Sequence, residues 1–491
     1  MELTFIGAAQ VLIGLSLFLV GSVEAMFAFM LVSALFGGSA ALTLPALGGS
    51  SIPPVQFALV FMALRLLVPG AGQMAALGQA GRANLPLIGF VAWGVVLAFI
   101  APRLFAGQID VTPLRGRTEA RYVSAAAYLY ATRPLAFSPQ NVTTAVYLCG
   151  TLLAGLAAHV ACRSERGRAT LVRTMAIVGL AHAVLGFAGI AAKGTPVGAV
   201  FELFRNANYA QLDHAYRGFV RMTGIWPEAS GFANFAIVWF VFNFECWLRR
   251  VDTRWTGPAA LMLAAALAFS TSSTAYVGLP FYAMLVALRA VLFPGAIPAD
   301  RLLWIGAAGL ALVIAGCSVM LWHPAFATNF GDLILHMTVK KSGSFSALQR
   351  QFWAWQGIDA FLKTGGIGIG PGSFRSSSLA TAVLGSTGII GAVALLVHLL
   401  RAFKPTRLST YAASGDPVLA TGAACAWAML MGTAVASISS PSCDPGTDFA
   451  ILGGAALVLR GPVRFVATGR WRTPLLLPPP VQMPGMSAGL A

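Results

Sequence analysis

The chain has 491 residues, 57% of them hydrophobic and only 10% charged, and its mean hydropathy is +0.77. So few charges over such a length exclude a soluble domain. The formal net charge is +16 at pH 7; the hydropathy makes a lipid bilayer the expected surroundings, and no nucleic-acid partner is expected.

Apolar runs of about 18 residues or more, each able to cross roughly 30 Å of hydrocarbon, recur from end to end. An all-α, polytopic integral membrane protein with about 12–13 transmembrane helices is therefore expected; the short alternating segments of a β-barrel are missing. The first spans fall at 3–20, 23–43, 54–70 and 84–101. The opening one lacks a basic flank and a small-residue cleavage site, so it reads as a retained span. After a long connection (102–140) come 141–162 and 170–191, then a second long connection (192–227). Next are 228–248, 258–273, 275–293 and 302–321, a third connection (322–377), and 378–400, 417–437 and 447–460. Residues 1–460 form the bundle, 322–377 its large loop, and 461–491 a proline-rich tail expected to be disordered. The six cysteines are scattered, with no metal-ligand or CxxC spacing, and read as buried small apolar residues.

Orientation follows from short basic loops. RSERGRATLVR (163–173), RRVDTR (249–254), RAFKPTR (401–407) and the stretch from Arg460 to Arg472 belong in the cytoplasm by the positive-inside rule. All three long connections then lie outside. They are net basic too, which that rule does not predict and which suits an anionic substrate on the outer face.

In the second outer connection Arg217 and Arg221 are four apart, one face of a helix if helical. Glu228 follows at the mouth of a span, where a carboxylate is a functional candidate by default. In the third connection, apolar residues from Ser346 to Lys363 recur at helical spacing. Arg350, Trp353 and Gly357 form a second face of that helix: a cation, an aromatic plate and an open spot. GGIGIGPGSFRSSS (365–378) follows. It matches neither GxGxxG nor a P-loop, so no nucleotide is expected. A flexible turn with an anion nest is expected instead, delivering Arg375 and the Ser376–Ser378 hydroxyls to the next span.

Four blocks, in order, resemble the O-antigen polymerase and O-antigen ligase superfamily (Wzy/WaaL type), most closely its exopolysaccharide polymerases. They are PLAFSPQNVTTAVYL (134–148), RMTGIWPEASGFANF (221–235), FSTSSTAYVGL (269–279), and RQFWAWQGIDAFLKTGGIGIGPGSF with VLGSTGIIG (350–374, 383–391). The resemblance implies a glycosyltransferase that polymerises undecaprenyl-diphosphate-linked repeat units at the periplasmic face of a bacterial inner membrane. It implies no cofactor and no metal, arginines neutralising the diphosphate instead. Carried over, Arg221 and Arg350 hold the diphosphate, with Arg217 and Arg375 in support. Glu228 is the expected general base, with Asp359 and His336 as weaker candidates. Trp353 and Trp355 are candidates for stacking on sugar rings, and Ser376 for hydrogen bonding to substrate. A chain-length regulator or export protein is a possible partner. Ligases of this superfamily carry a histidine just after the glycine turn, and this chain has none there, which favours polymerase over ligase. A lipid-linked oligosaccharide flippase is the alternative of a different class, although no internal repeat of the kind common in transporters is evident.

Overall fold

The computed structural model describes residues 1–45, 50–68, 73–114, 131–206, 215–216, 219–403 and 416–460. Each of the thirteen expected spans overlaps a helix, although the second, expected over 23–43, ends at Phe36 and is followed by the strand Leu42–Leu44. Eight helices are long and apolar enough to cross a bilayer, and four shorter apolar ones accompany them: Phe5–Val20, Val23–Phe36, Pro54–Leu67 and Thr447–Leu459. The thirteenth, Thr253–Phe269, has 17 residues and an internal Pro258. Helices at Gln73–Ala83 and Pro324–Met337 were not expected, the first because its alanine-, glycine- and glutamine-rich sequence carries little apolar periodicity.

Helix Ala229–Leu248 is the hub, with 78% of its central window buried. It packs on Thr253–Phe269, Pro417–Ala436 and Glu165–Ala191. Around it the helices approach through small residues, as they must where lipid supplies no hydrophobic drive to associate. A methyl on Gly454 would sit 2.1 Å from the Gly155 carbonyl oxygen, so the helix pair Pro139–Ala161 and Thr447–Leu459 meets backbone to backbone.

The bundle has two unlike faces. On one, the basic loops gather: Arg173 reaches Asp252 at 3.3 Å, Arg168 donates to Thr421 at 3.1 Å and Arg460 to the Ala402 carbonyl at 3.0 Å. Just inside that face the fully buried Glu245 accepts from Tyr282 at 2.6 Å, from Arg289 at 2.9 Å and from Arg249. The other face, called the site face below, carries the long connections. These interlock. Ser39 donates to the Phe204 carbonyl, Asn234 to Ser439, and the Thr112 amide to the Gln356 side chain at 3.1 Å. A small separate core of Ile109, Val111, Leu135, Ala360, Ile369 and Phe374 binds the first and third connections together.

The glycine-rich stretch, expected as a flexible turn with an anion nest, is instead hydrogen-bonded into a break in the next helix. Helix Leu379–Phe403 is broken at Gly388 (φ 63°, ψ −160°), and the stretch threads into the break. The amides of Ile369 and Gly370 donate to the freed carbonyls of Gly385 and Ser386 at 2.8 and 3.0 Å. The Ile389 amide donates to the Gly366 carbonyl at 3.0 Å, and Trp93 Nε1 donates to the Thr387 carbonyl at 2.9 Å. Gly368 and Gly370 both have φ of +89°. A methyl on the first would lie 2.7 Å from the backbone of Ser386, and one on the second 2.5 Å from the Leu97 carbonyl. Alternating glycine is thus what lets this strand of backbone pass between three helices. The amides of residues 365–370, 373, 375 and 376 already donate within the protein.

Candidate functional site: two arginines on the site face

Arg221 stands at the end of a two-strand hairpin, Ala215–Tyr216 paired with Phe219–Val220. The described residues before Arg221 are therefore paired strand and not helix. Arg217 itself lies outside the described residues. Beyond the hairpin, Arg205 clamps the loop that carries Arg221, donating to Thr223 at 2.8 Å and to the Gly224 carbonyl at 3.1 Å. Trp226 fills the space beside Gly37 and Gly38. Glu228 occupies the N-cap position of Ala229–Leu248 without capping it, and accepts instead from the Ser230 hydroxyl.

Helix Phe345–Lys363 forms as its periodicity predicts, capped by Ser344, whose side chain accepts from the Ala347 amide. Its Gly357 is not an open spot. A methyl there would sit 2.3 Å from the Thr381 carbonyl oxygen, and Gly385 approaches Gly357 from the facing helix. The two glycines are the crossing point of Phe345–Lys363 with Leu379–Phe403. That crossing fixes the register in which Arg350, two turns earlier, faces the site.

Arg221, Glu228, Arg350 and Tyr276 share one electrostatic neighbourhood. Burial holds the Arg221 guanidinium below its ordinary pKa; Glu228 opposes this, Arg350 adds to it by like-charge repulsion, and Tyr276 opposes it. Like charges within reach of each other in a partly desolvated place repel, and the Glu228 carboxylate offsets that repulsion at Arg221. Arg375 lies next to this group through the turn it belongs to. Ser377 donates its hydroxyl to the Arg350 carbonyl, and the Arg375 amide donates to Thr112 at 2.9 Å. The Arg375 guanidinium covers the Trp353 ring at 4.3 Å from its centroid. That face of Trp353 is thereby occupied, so sugar stacking, if it happens there, has only the other.

Several other candidates have local partners or lie on exposed surface. Ser376 is 1% exposed; its hydroxyl bonds Thr381 at 3.1 Å and the Ser378 carbonyl at 3.2 Å, so it serves the turn and not a substrate. Asp359 pairs with Lys363 at 2.8 Å on the surface of its helix. His336 is exposed near the end of Pro324–Met337, and His323 stands at that helix's N-cap position. Trp355 is 57% exposed, on the apolar stripe of Phe345–Lys363 that also bears Leu348 and Leu362.

Sequence reasoning missed Tyr276, Arg205 and the segment 437–446. The last lies against the arginine-bearing turn: the Ser376 amide donates to the Pro441 carbonyl at 2.9 Å. Its neighbour Asp444 accepts from Thr151 at 2.8 Å and from the Gly446 amide at 3.1 Å. A signal was available. Thr447–Leu459 has 13 residues, about 20 Å of helix, too short to cross alone. The segment before it therefore has to cover the remaining depth, which non-helical backbone does only inside protein or beside water.

Among the described residues no three His, Cys, Asp or Glu side chains group closely enough to hold a metal ion. Fold and site together define a multi-pass α-helical membrane protein with an arginine cluster on one face of its bundle. No protein-family model matches this chain, and no curated protein matches it; the resemblance to sugar polymerases rests on the sequence blocks that carry it.

Proposed function

We propose that the protein is a polysaccharide polymerase acting at the periplasmic face of a bacterial inner membrane, joining oligosaccharide repeat units carried on undecaprenyl diphosphate. The observation that supports this reading is that Arg221 and Arg350, from connections more than a hundred residues apart, lie within electrostatic reach of each other, with Glu228 beside Arg221 and the basic loops on the other face. Guanidiniums bind phosphate oxygens bidentately, and such charge-assisted bonds are strong where water is partly excluded.

In the reaction the acceptor sugar hydroxyl attacks the anomeric carbon of the donor. The bond from that carbon to the diphosphate oxygen breaks, and its electron pair leaves on the diphosphate. Arg221 and Arg350 stabilise the charge that develops there, and Glu228 accepts the hydroxyl proton. Arg375, braced on Trp353, supports the same phosphates. The departure from a ligase is the run Arg375–Ser378, which has no imidazole to activate an acceptor. A transporter reading would draw on the broken helix Leu379–Phe403, but the carbonyls freed by that break are taken by Ile369, Gly370 and Trp93.

The test is reconstitution of purified protein with a polyprenyl-diphosphate oligosaccharide, chelator present and no nucleotide added. A ladder of longer glycans is expected, and Arg221→Lys and Arg350→Lys should each abolish the long products while the protein still inserts. Lysine keeps the charge and loses the fork, about 1.5–3 kcal/mol per charge-assisted bond. Undiminished polymer from both variants, or movement of intact donor across the bilayer without coupling, would overturn the assignment.

A further inference from the structure

The loop that carries Arg221 and Glu228 is seated on helix Glu165–Ala191. His182, Gly186 and Gly189 recur there at i, i+4 and i+7, which puts them on one side of that helix. A methyl on Gly186 would lie 2.7 Å from Met222 Sδ and 2.6 Å from Phe232 Cζ. One on Gly189 would lie 3.3 Å from Gly224 Cα. Gly224 itself has φ of +52°, and a methyl on it would meet the Gly186 nitrogen at 3.3 Å. The loop therefore rests its own backbone on the helix, one residue after Arg221 at Met222 and one turn after Glu228 at Phe232.

His182 is 1% exposed and holds this loop on both sides of Glu228. After it, the imidazole stacks on Phe232 with ring centroids 4.0 Å apart, and Nε2 donates to the Phe232 carbonyl at 3.1 Å. Before it, the same ring meets Trp226 edge-on at 6.0 Å. Both aromatic neighbours bear on the acid. The Phe232 amide donates to the Glu228 carbonyl at 3.0 Å. Trp226 and Glu228 fold back over Gly231, where a methyl would lie 3.3 Å from Trp226 Cε3 and 3.8 Å from Glu228 Cγ. The far edge of Trp226 is wedged against Gly37, 2.3 Å from where a methyl would be. Burying an imidazole in a membrane-spanning helix costs free energy that a phenylalanine of similar size would not, so a polar ring here points to a task. We infer that His182 is a positioning residue, which through Trp226 and Phe232 fixes where the Glu228 carboxylate points. This rests on the proposed function for the role of Glu228 as base.

The test uses full-length protein in nanodiscs and two readouts. One is polymer synthesis from a polyprenyl-diphosphate oligosaccharide. The other is modification of Glu228 by a water-soluble carbodiimide and an amine, read by mass spectrometry as a ratio to the surface carboxylate of Asp359. His182→Phe keeps the stacking and removes the bond to the Phe232 carbonyl; His182→Ala removes both. The kcat should fall about tenfold in the first and about a hundredfold in the second, the latter approaching the loss of a general base, with KM for the donor unchanged. The Glu228 ratio should rise several-fold in both as the carboxylate is released. In a Glu228→Gln background His182→Phe should cost nothing further, because the two act as one unit. Met175→Ala, a core truncation on the same helix at a residue 2% exposed, is the control: it lowers the unfolding temperature and should leave kcat and the ratio where they are. An unchanged Glu228 ratio in both His182 variants would overturn the inference, as would a full further loss in the Glu228→Gln background. If the unaltered protein makes no polymer, the proposed function falls, and the modification ratio still decides whether His182 places Glu228.

Discussion

Replacing Gly388 by alanine tests the idea that the helix break is built and not incidental. At φ 63° and ψ −160° the backbone occupies a region essentially reserved for glycine, where another residue costs about 1–3 kcal/mol. The added methyl would lie 2.1 Å from the Gly366 carbonyl oxygen and 2.3 Å from that of Ile367. Both are backbone atoms and cannot rotate aside. Relief requires the glycine strand to withdraw, losing the Ile389–Gly366 bond and at least one of the bonds to Gly385 and Ser386, each about 1–3 kcal/mol when buried. The sum is about 3–9 kcal/mol, a large part of the stability of a folded chain. Gly107→Ala is the control: φ is +71° there, but nothing lies within 4 Å, so only the backbone cost applies. Thermal unfolding in nanodiscs followed by tryptophan fluorescence should place Gly388→Ala well below Gly107→Ala. Polymer synthesis should fall too, because the strand leads directly into Arg375 and Ser377. Equal unfolding temperatures for the two variants would refute the threading argument.

The buried cluster at the opposite face makes a second demand. Glu245→Ala should destabilise by about 3–5 kcal/mol, since it leaves Arg249 and Arg289 partly buried without their carboxylate; adding Arg289→Leu should recover part of the loss in the same unfolding assay. Asp444 makes a third. It accepts from the Thr151 hydroxyl and the Gly446 amide, so Asp444→Ala should destabilise by about 1–3 kcal/mol for each donor left unmet, while Asp444→Asn keeps an acceptor and should cost less; equal unfolding temperatures for the two variants would refute this role.

Much of the architecture was legible along the chain. Thirteen apolar runs became thirteen helices, and the spacing from Ser346 to Lys363 became the helix that holds Arg350. Runs and periodicities of this kind express contacts with a solvent, lipid or water, that is the same wherever the segment ends up. The glycine-rich stretch, in contrast, looked like a loop for an anion because its partners, Gly385, Ser386 and Trp93, carry no local mark of being partners. Gly357 looked open for the same reason, and the Pro441 segment went unnoticed although the shortness of its following helix hinted at depth.

By itself, then, the sequence determined the solvent, the helices and their order, since hydropathy and turn chemistry act within a few residues. Tertiary structure alone decided that Arg221 and Arg350 come within electrostatic reach of each other, that Ser376 and Asp359 serve local bonds, and that helix 299–322 stands free. Each of these depends on distances between residues far apart in the chain, and such distances are set only when the helices pack.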